Sequence, residues 1–125
     1  MNVLILLIGG NPLPNYITAK YLLTKGREDE SDLPVPDKIV FVYSKSTEIF
    51  KKSIITQLAL DEKQHVIPIN LDANERDPET IMRRLREELH KFAPAASLHL
   101  NYTGGTKTMS VFSALIFSTI CCREP

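Results

Sequence analysis

Apolar positions in this chain follow two rhythms that alternate from end to end. Val3 to Ile8 is an unbroken apolar run closed by turn residues, the pattern of a strand buried on both faces of a parallel sheet. Gly9-Gly10-Asn11-Pro12 follows it. Asn11 is placed to cap a helix that opens on Pro12, or one turn later on Pro14, and runs to about Lys25 with Gly26 as its stop. Residues Glu28 to Asp37 are acidic, contain Pro34 and Pro36, and read as an exposed loop. Lys38 to Tyr43, rich in β-branched and aromatic residues, is a second strand. A hydroxyl of the turn Ser44-Lys45-Ser46 is expected to cap the next helix, whose stripe is Phe50, Ile54 and Leu58.

The rhythm then repeats. His65 to Ile69 is the third strand, and Asn70 to Asn74 the loop after it, in which Asp72 reads as a solvated residue. Asp77 is an N-cap with Pro78 in the first helical position. Ile81, Leu85, Leu89 and Phe92 recur at helical spacing, and Pro94 ends the helix. Its other face carries Arg83, Arg84, Arg86, Glu87, Glu88 and Lys91, a solvated surface. Leu98 to Tyr102 is a fourth strand and Met109 to Ile120 a fourth helix. The latter is apolar nearly all round and needs a partner surface on its outer side.

The resulting order β-α-β-α-β-α-β-α implies a parallel sheet with helices on both faces and right-handed crossovers. The expected architecture is an α/β, Rossmann-like three-layer sandwich with strand order 3-2-1-4. Strands 1 and 4 then lie side by side at the point where the chain reverses direction, and ligands bind at the carboxyl ends of strands there. The glycine turns at Gly9-Gly10 and Gly104-Gly105 follow those two strands and should face one crevice.

Composition narrows the function. The 125 residues hold 15 basic and 15 acidic side chains, so the basic excess needed to coat duplex DNA is missing. Cys121 and Cys122 read as small buried residues in a reducing compartment, not as a disulfide or a zinc site. No basic n-region precedes the first strand, and the longest apolar run falls short of the ~20 residues of a bilayer span. The expectation is a single cytoplasmic domain over residues 1–125, with no membrane contact, no metal and no cofactor.

The chemistry concentrates in Asn101-Tyr102-Thr103-Gly104-Gly105-Thr106-Lys107-Thr108-Met109-Ser110. A strand, a polar turn and a helix N-terminus carrying Lys107 make an anion site from free N–H groups and the helix dipole. Gly104 and Gly105 permit positive φ and close approach, and the hydroxyls of Thr103, Thr106 and Thr108 can cap the helix or bond a ligand. The segment is not a P-loop, since Thr106 rather than glycine precedes Lys107, and G-x-G-x-x-G is absent after strand 1. His65, His90 and His99 have no catalytic partner by spacing and read as satisfied structural residues. Tyr16 and Tyr102 can stack on a base or pack in the core.

This ten-residue segment resembles the N-x-T-G-G-T-K-x-M signature of CARF domains, the CRISPR-associated Rossmann-fold sensors. It is most similar to the branch fused to restriction-like nuclease domains. The resemblance implies a homodimer that binds a cyclic oligoadenylate across its two-fold axis, cyclic tetra-adenylate ahead of cyclic hexa-adenylate. It implies that Gly9, Gly10, Asn11, Asn101, Thr103, Gly104, Gly105, Thr106 and Lys107 hold the ring, with Ser44 and Lys45 contributing from the second strand end. The apolar last helix would then pack in the dimer interface. Relative to a full family member, the last strands and any effector domain are missing, which reads as a sensor fragment of a longer effector protein or as a minimal standalone sensor. Two other functions stand beside the sensor. One is a slow metal-independent ring nuclease in which Lys107 steadies the charge on the attacked phosphate. The other is a generic Rossmann-like nucleotide-binding domain.

Overall fold

The computed structural model describes residues 1–25, 35–92, 97–101 and 104–121. Four strands, β1 (Asn2–Leu7), β2 (Lys38–Tyr43), β3 (Val66–Asn70) and β4 (Ser97–Asn101), form one parallel sheet in the order β3-β2-β1-β4. Among the described residues five helices surround it: α1 (Leu13–Lys25), α2 (Glu48–Gln57), α3 (Glu62–His65), α4 (Pro78–Leu89) and α5 (Lys107–Cys121). This is the Rossmann-like α/β sandwich that the alternating pattern predicts. Among the described residues, no helix is long and apolar enough to cross a membrane.

The continuous run in β1 is apolar because both faces of that strand are covered. Val3, Ile5 and Leu7 face α4 and α5, where Ile81, Leu85, Leu89, Met109 and Ile116 close one core. Leu4, Leu6 and Ile8 face α1 and α2, with Ala19, Ile54 and Ile55 in the second core. Each large aliphatic side chain buried this way contributes about 1.5–3 kcal/mol. In register, Leu4 lies opposite Ile39 of β2 and His99 of β4, so β1 is the axis on which both halves of the sheet are built.

Helix boundaries follow local chemistry, with some differences from the expected ones. The Asp77 carboxylate accepts from the N–H of Glu79 at 3.2 Å, as an N-cap with proline behind it should. α1 begins at Leu13 rather than at either proline, and the Asn11 side chain accepts from the Leu13 N–H at 3.2 Å. No hydroxyl of Ser44 or Ser46 caps α2. The Thr47 hydroxyl instead accepts from the Ser44 N–H at 2.9 Å, so the turn closes on itself. His65 ends the one-turn α3, and β3 starts at Val66. The His65 ring nitrogen Nδ1 accepts from the N–H of Asp61 at 3.1 Å, which ties that turn shut. β4 begins one residue early, at Ser97, and the expected end at Tyr102 lies outside the described residues, as do Gly26 and Pro94.

α5 starts at Lys107, two residues before the expected Met109, because Thr106 caps it. Met109, Ser113 and Ile116 are buried, while Val111 and Leu115 are more than half exposed at 54% and 52%. The outward positions Lys107, Val111, Leu115 and Ser118 follow helical spacing and carry one charge between them. The missing polar side of this helix is therefore a feature of the folded chain.

Candidate functional site

Parallel pairing of Leu6 with Asn101 brings the carboxyl ends of β1 and β4 level. The turns that leave them touch. A Cβ on Gly9 would lie 2.6 Å from the Gly105 nitrogen and 3.1 Å from its Cα, distances that real Cβ atoms essentially never show or show only rarely. Gly105 has φ +78°, a conformation that favours glycine. Gly104 is required for a different reason. A Cβ there would run into the Leu7 carbonyl oxygen and stand 2.7 Å from the Asn15 side-chain nitrogen. The glycine pair thus lets the fourth loop seat against the end of β1.

Asn15 holds this joint. It is fully buried in α1, and its Nδ2 donates to the Leu7 carbonyl at 2.9 Å. That carbonyl lies one residue beyond the last β1–β4 pair, Leu6 with Asn101. The side-chain amide thereby gives a buried backbone acceptor a donor. Sequence reading passed over Asn15, because a polar residue in the first turn of a helix looks like a surface residue.

Around the joined loops lies a cavity of about 350 Å³. The turn after β1 supplies Ile8, Gly9 and Gly10 to its wall, and the turn after β2 supplies Ser44, Ser46 and Thr47. Phe50 of α2 and Met109 of α5 give it apolar surface, and Gly105 and Thr106 complete the β4 side. Glu75 and Arg76 enter from the loop after β3. All four strand ends therefore contribute to one crevice at the switch point.

Five of the expected site residues, Gly9, Gly10, Ser44, Gly105 and Thr106, line this cavity. Gly104 supports it from behind. Asn11, Lys45 and Lys107 are exposed and stand outside its wall, and Asn101 is half-buried on β4. Thr103 and Tyr102 lie outside the described residues. Ser44 is buried, and its hydroxyl is 3.0 Å from that of Ser46 and 3.2 Å from that of Thr47. Asp72 belongs to the loop rather than to the cavity. Its N–H donates to the Asn70 side chain at 2.8 Å and its carbonyl accepts from the Lys45 N–H at 2.7 Å. Tyr16 packs against the α1–α2 core with the Lys20 ammonium 5.5 Å from its ring centre. His99 departs from the expectation of satisfied histidines: its buried Nε2 has no partner among the described residues.

Glu75 and Arg76 were missed because no periodicity marks them. A long-range bond places them: the Thr106 hydroxyl donates to the Glu75 carbonyl at 2.7 Å while accepting from the Met109 N–H at 3.1 Å. One side chain thereby caps α5 and ties the third loop to the fourth. Thr106→Ala should lower stability by about 1 kcal/mol through loss of the cap. Thr106→Ser should restore most of it, which urea denaturation midpoints will show.

The crevice suits an anion with an attached apolar body. The first-turn N–H groups of α5 have no intrahelical acceptor, and Thr106 takes up only that of Met109. The positive end of the helix dipole lies there, and Arg76 adds a planar donor of full charge. Phe50 and Met109 offer surface to a base or sugar. Among the described residues, no group of three His, Cys, Asp or Glu side chains could hold a metal ion.

No curated protein matches the chain significantly. The family model of the Card1 CARF domain matches residues 3–122, which takes in every strand and helix but the first residue of β1. The chain belongs to the Card1 CARF domain family, and CARF domains are CRISPR-associated sensors that bind cyclic oligoadenylates.

Proposed function

We infer that this chain senses cyclic tetra-adenylate, ahead of cyclic hexa-adenylate, on two copies related by a two-fold axis, and passes occupancy to an effector domain in the cytoplasm. The observation that carries this reading is the convergence of the β1 and β4 glycine turns, the α5 N-terminus and Arg76 on one crevice. Backbone N–H groups and a guanidinium suit phosphodiesters that recur around a ring. The exposed Val111 and Leu115 on α5 supply an apolar seam for a second copy. Signalling then requires that the ring bind the two subunit arrangements unequally.

Thermal unfolding with added rings tests this. A ring present at 100-fold its Kd should stabilise the protein by about 2.7 kcal/mol, while NAD and mononucleotides should leave the midpoint in place. Gly10→Ala separates binding from folding. Nothing lies within 4 Å of a Cβ at that position, so the midpoint without ligand should hold or rise slightly. Ring affinity should fall about 10-fold or more, since a methyl group on the cavity wall displaces a ligand from its backbone donors. A midpoint that no ring moves would count against the sensor reading.

A further inference from the structure

Resting on the sensor reading, we propose that Glu75 determines specificity, by accepting a hydrogen bond from a non-phosphate donor of the nucleotide that fills the cavity. Glu75 lines the cavity, and its Oε2 is buried with no hydrogen-bond partner among the described residues. Its backbone is fixed by the Thr106 hydroxyl at 2.7 Å, so the carboxylate moves only by rotation about its own side-chain bonds. A buried acceptor without a donor destabilises a protein, and more so when charged. Such a group in a cavity wall has a reason to turn toward any donor that enters.

The chemistry of the ligand class limits what that donor can be. A carboxylate accepts and does not donate, and it repels phosphate oxygens. In a ring joined through its 3′ and 5′ oxygens, each adenosine keeps two kinds of donor, the 2′-hydroxyl and the 6-amino group. The neighbouring Arg76 is suited to the phosphodiester. The two adjacent residues thus divide the nucleotide between them. Arg76 takes the charge that every nucleotide shares, and Glu75 takes a group that distinguishes one nucleotide from another.

The test measures Kd for three rings: cyclic tetra-adenylate, its 2′-deoxyribose analogue and cyclic tetra-inosinate, in which a 6-oxo group replaces the amino donor. Wild type should bind one of the two analogues about 10- to 100-fold more weakly than the parent, the range for a hydrogen bond to a charged group. Which analogue suffers identifies the donor. The preference should shrink in Glu75→Gln, which keeps a neutral acceptor, and vanish in Glu75→Ala. Both variants should unfold near the wild-type midpoint, because the Glu75 side chain is half-buried and its Oε2 has no hydrogen-bond partner among the described residues to lose. Equal discrimination in wild type and both variants overturns the role of Glu75 and leaves the sensor reading intact. A wild-type protein that binds no ring overturns the sensor reading itself, and the role of Glu75 with it.

Discussion

Gly104→Ala is expected to lower stability by about 3 kcal/mol, at the upper end of ordinary overpacking. The added methyl would run into the Leu7 carbonyl oxygen and meet the Asn15 side-chain nitrogen at 2.7 Å. Neither neighbour can yield cheaply. Leu7 is fixed in the central strand, and Asn15 is fully buried and already bonded to that carbonyl at 2.9 Å. Relief requires the fourth loop to lift away from β1, which also parts Gly105 from Gly9. The melting temperature should fall by roughly 10 °C, and the surviving folded protein should bind ring poorly. Scanning calorimetry of Gly104→Ala beside Gly10→Ala reads both effects. Equal midpoints for the two variants would mean that the loops are not joined as described.

Arg76→Ala should do the reverse, sparing the fold and removing the ligand. Arg76 is exposed, has no salt bridge among the described residues and sits in a loop, so stability should change by less than about 0.5 kcal/mol. Its charge is the one full positive charge among the residues that line the cavity. Loss of a charge-assisted bond to phosphate is expected to weaken ring binding by about 10- to 100-fold. Arg76→Lys should recover only part of this, because a point charge lacks the two-pronged geometry of guanidinium. The salt dependence of Kd should also become shallower in Arg76→Ala, as a phosphate contact is lost. Titrations at two ionic strengths check both points.

The sheet was legible because its signals are local. A run such as Val3 to Ile8 has no polar position to offer solvent, and only burial on both faces accommodates it. Asp77-Pro78 announces a helix start by the chemistry of two residues. Placing both glycine turns at one switch point needed only strand order. The four-residue α3 was not legible, since one turn is too short to show a period. Nor was the purpose of Gly104. From sequence it looked like room for a ligand, whereas the close neighbour is the Leu7 carbonyl, brought there by strand pairing.

The same distinction separates the cavity-lining residues that the sequence singles out from those it does not. Gly9, Gly10, Gly105 and Thr106 lie in motifs that follow strands. Glu75 and Arg76 reach the cavity because the Thr106 hydroxyl holds the Glu75 carbonyl across 31 positions of chain. Their one advance signal is that the loop after β3 also opens at the carboxyl end of the sheet, which makes any charged residue in it a candidate. Lys107, prominent in the motif, is exposed at the start of α5 and is not one of the residues that line the cavity.

Calorimetric titration of the purified protein with cyclic tetra-adenylate and cyclic hexa-adenylate asks whether the switch-point crevice receives a cyclic oligoadenylate shared by two copies of the chain. Saturation is expected at one ring per two chains, with binding weakened about 10- to 100-fold in Arg76→Ala at unchanged melting temperature. A folded dimer that takes up neither ring, or a ring that binds Arg76→Ala as tightly as wild type, would contradict it.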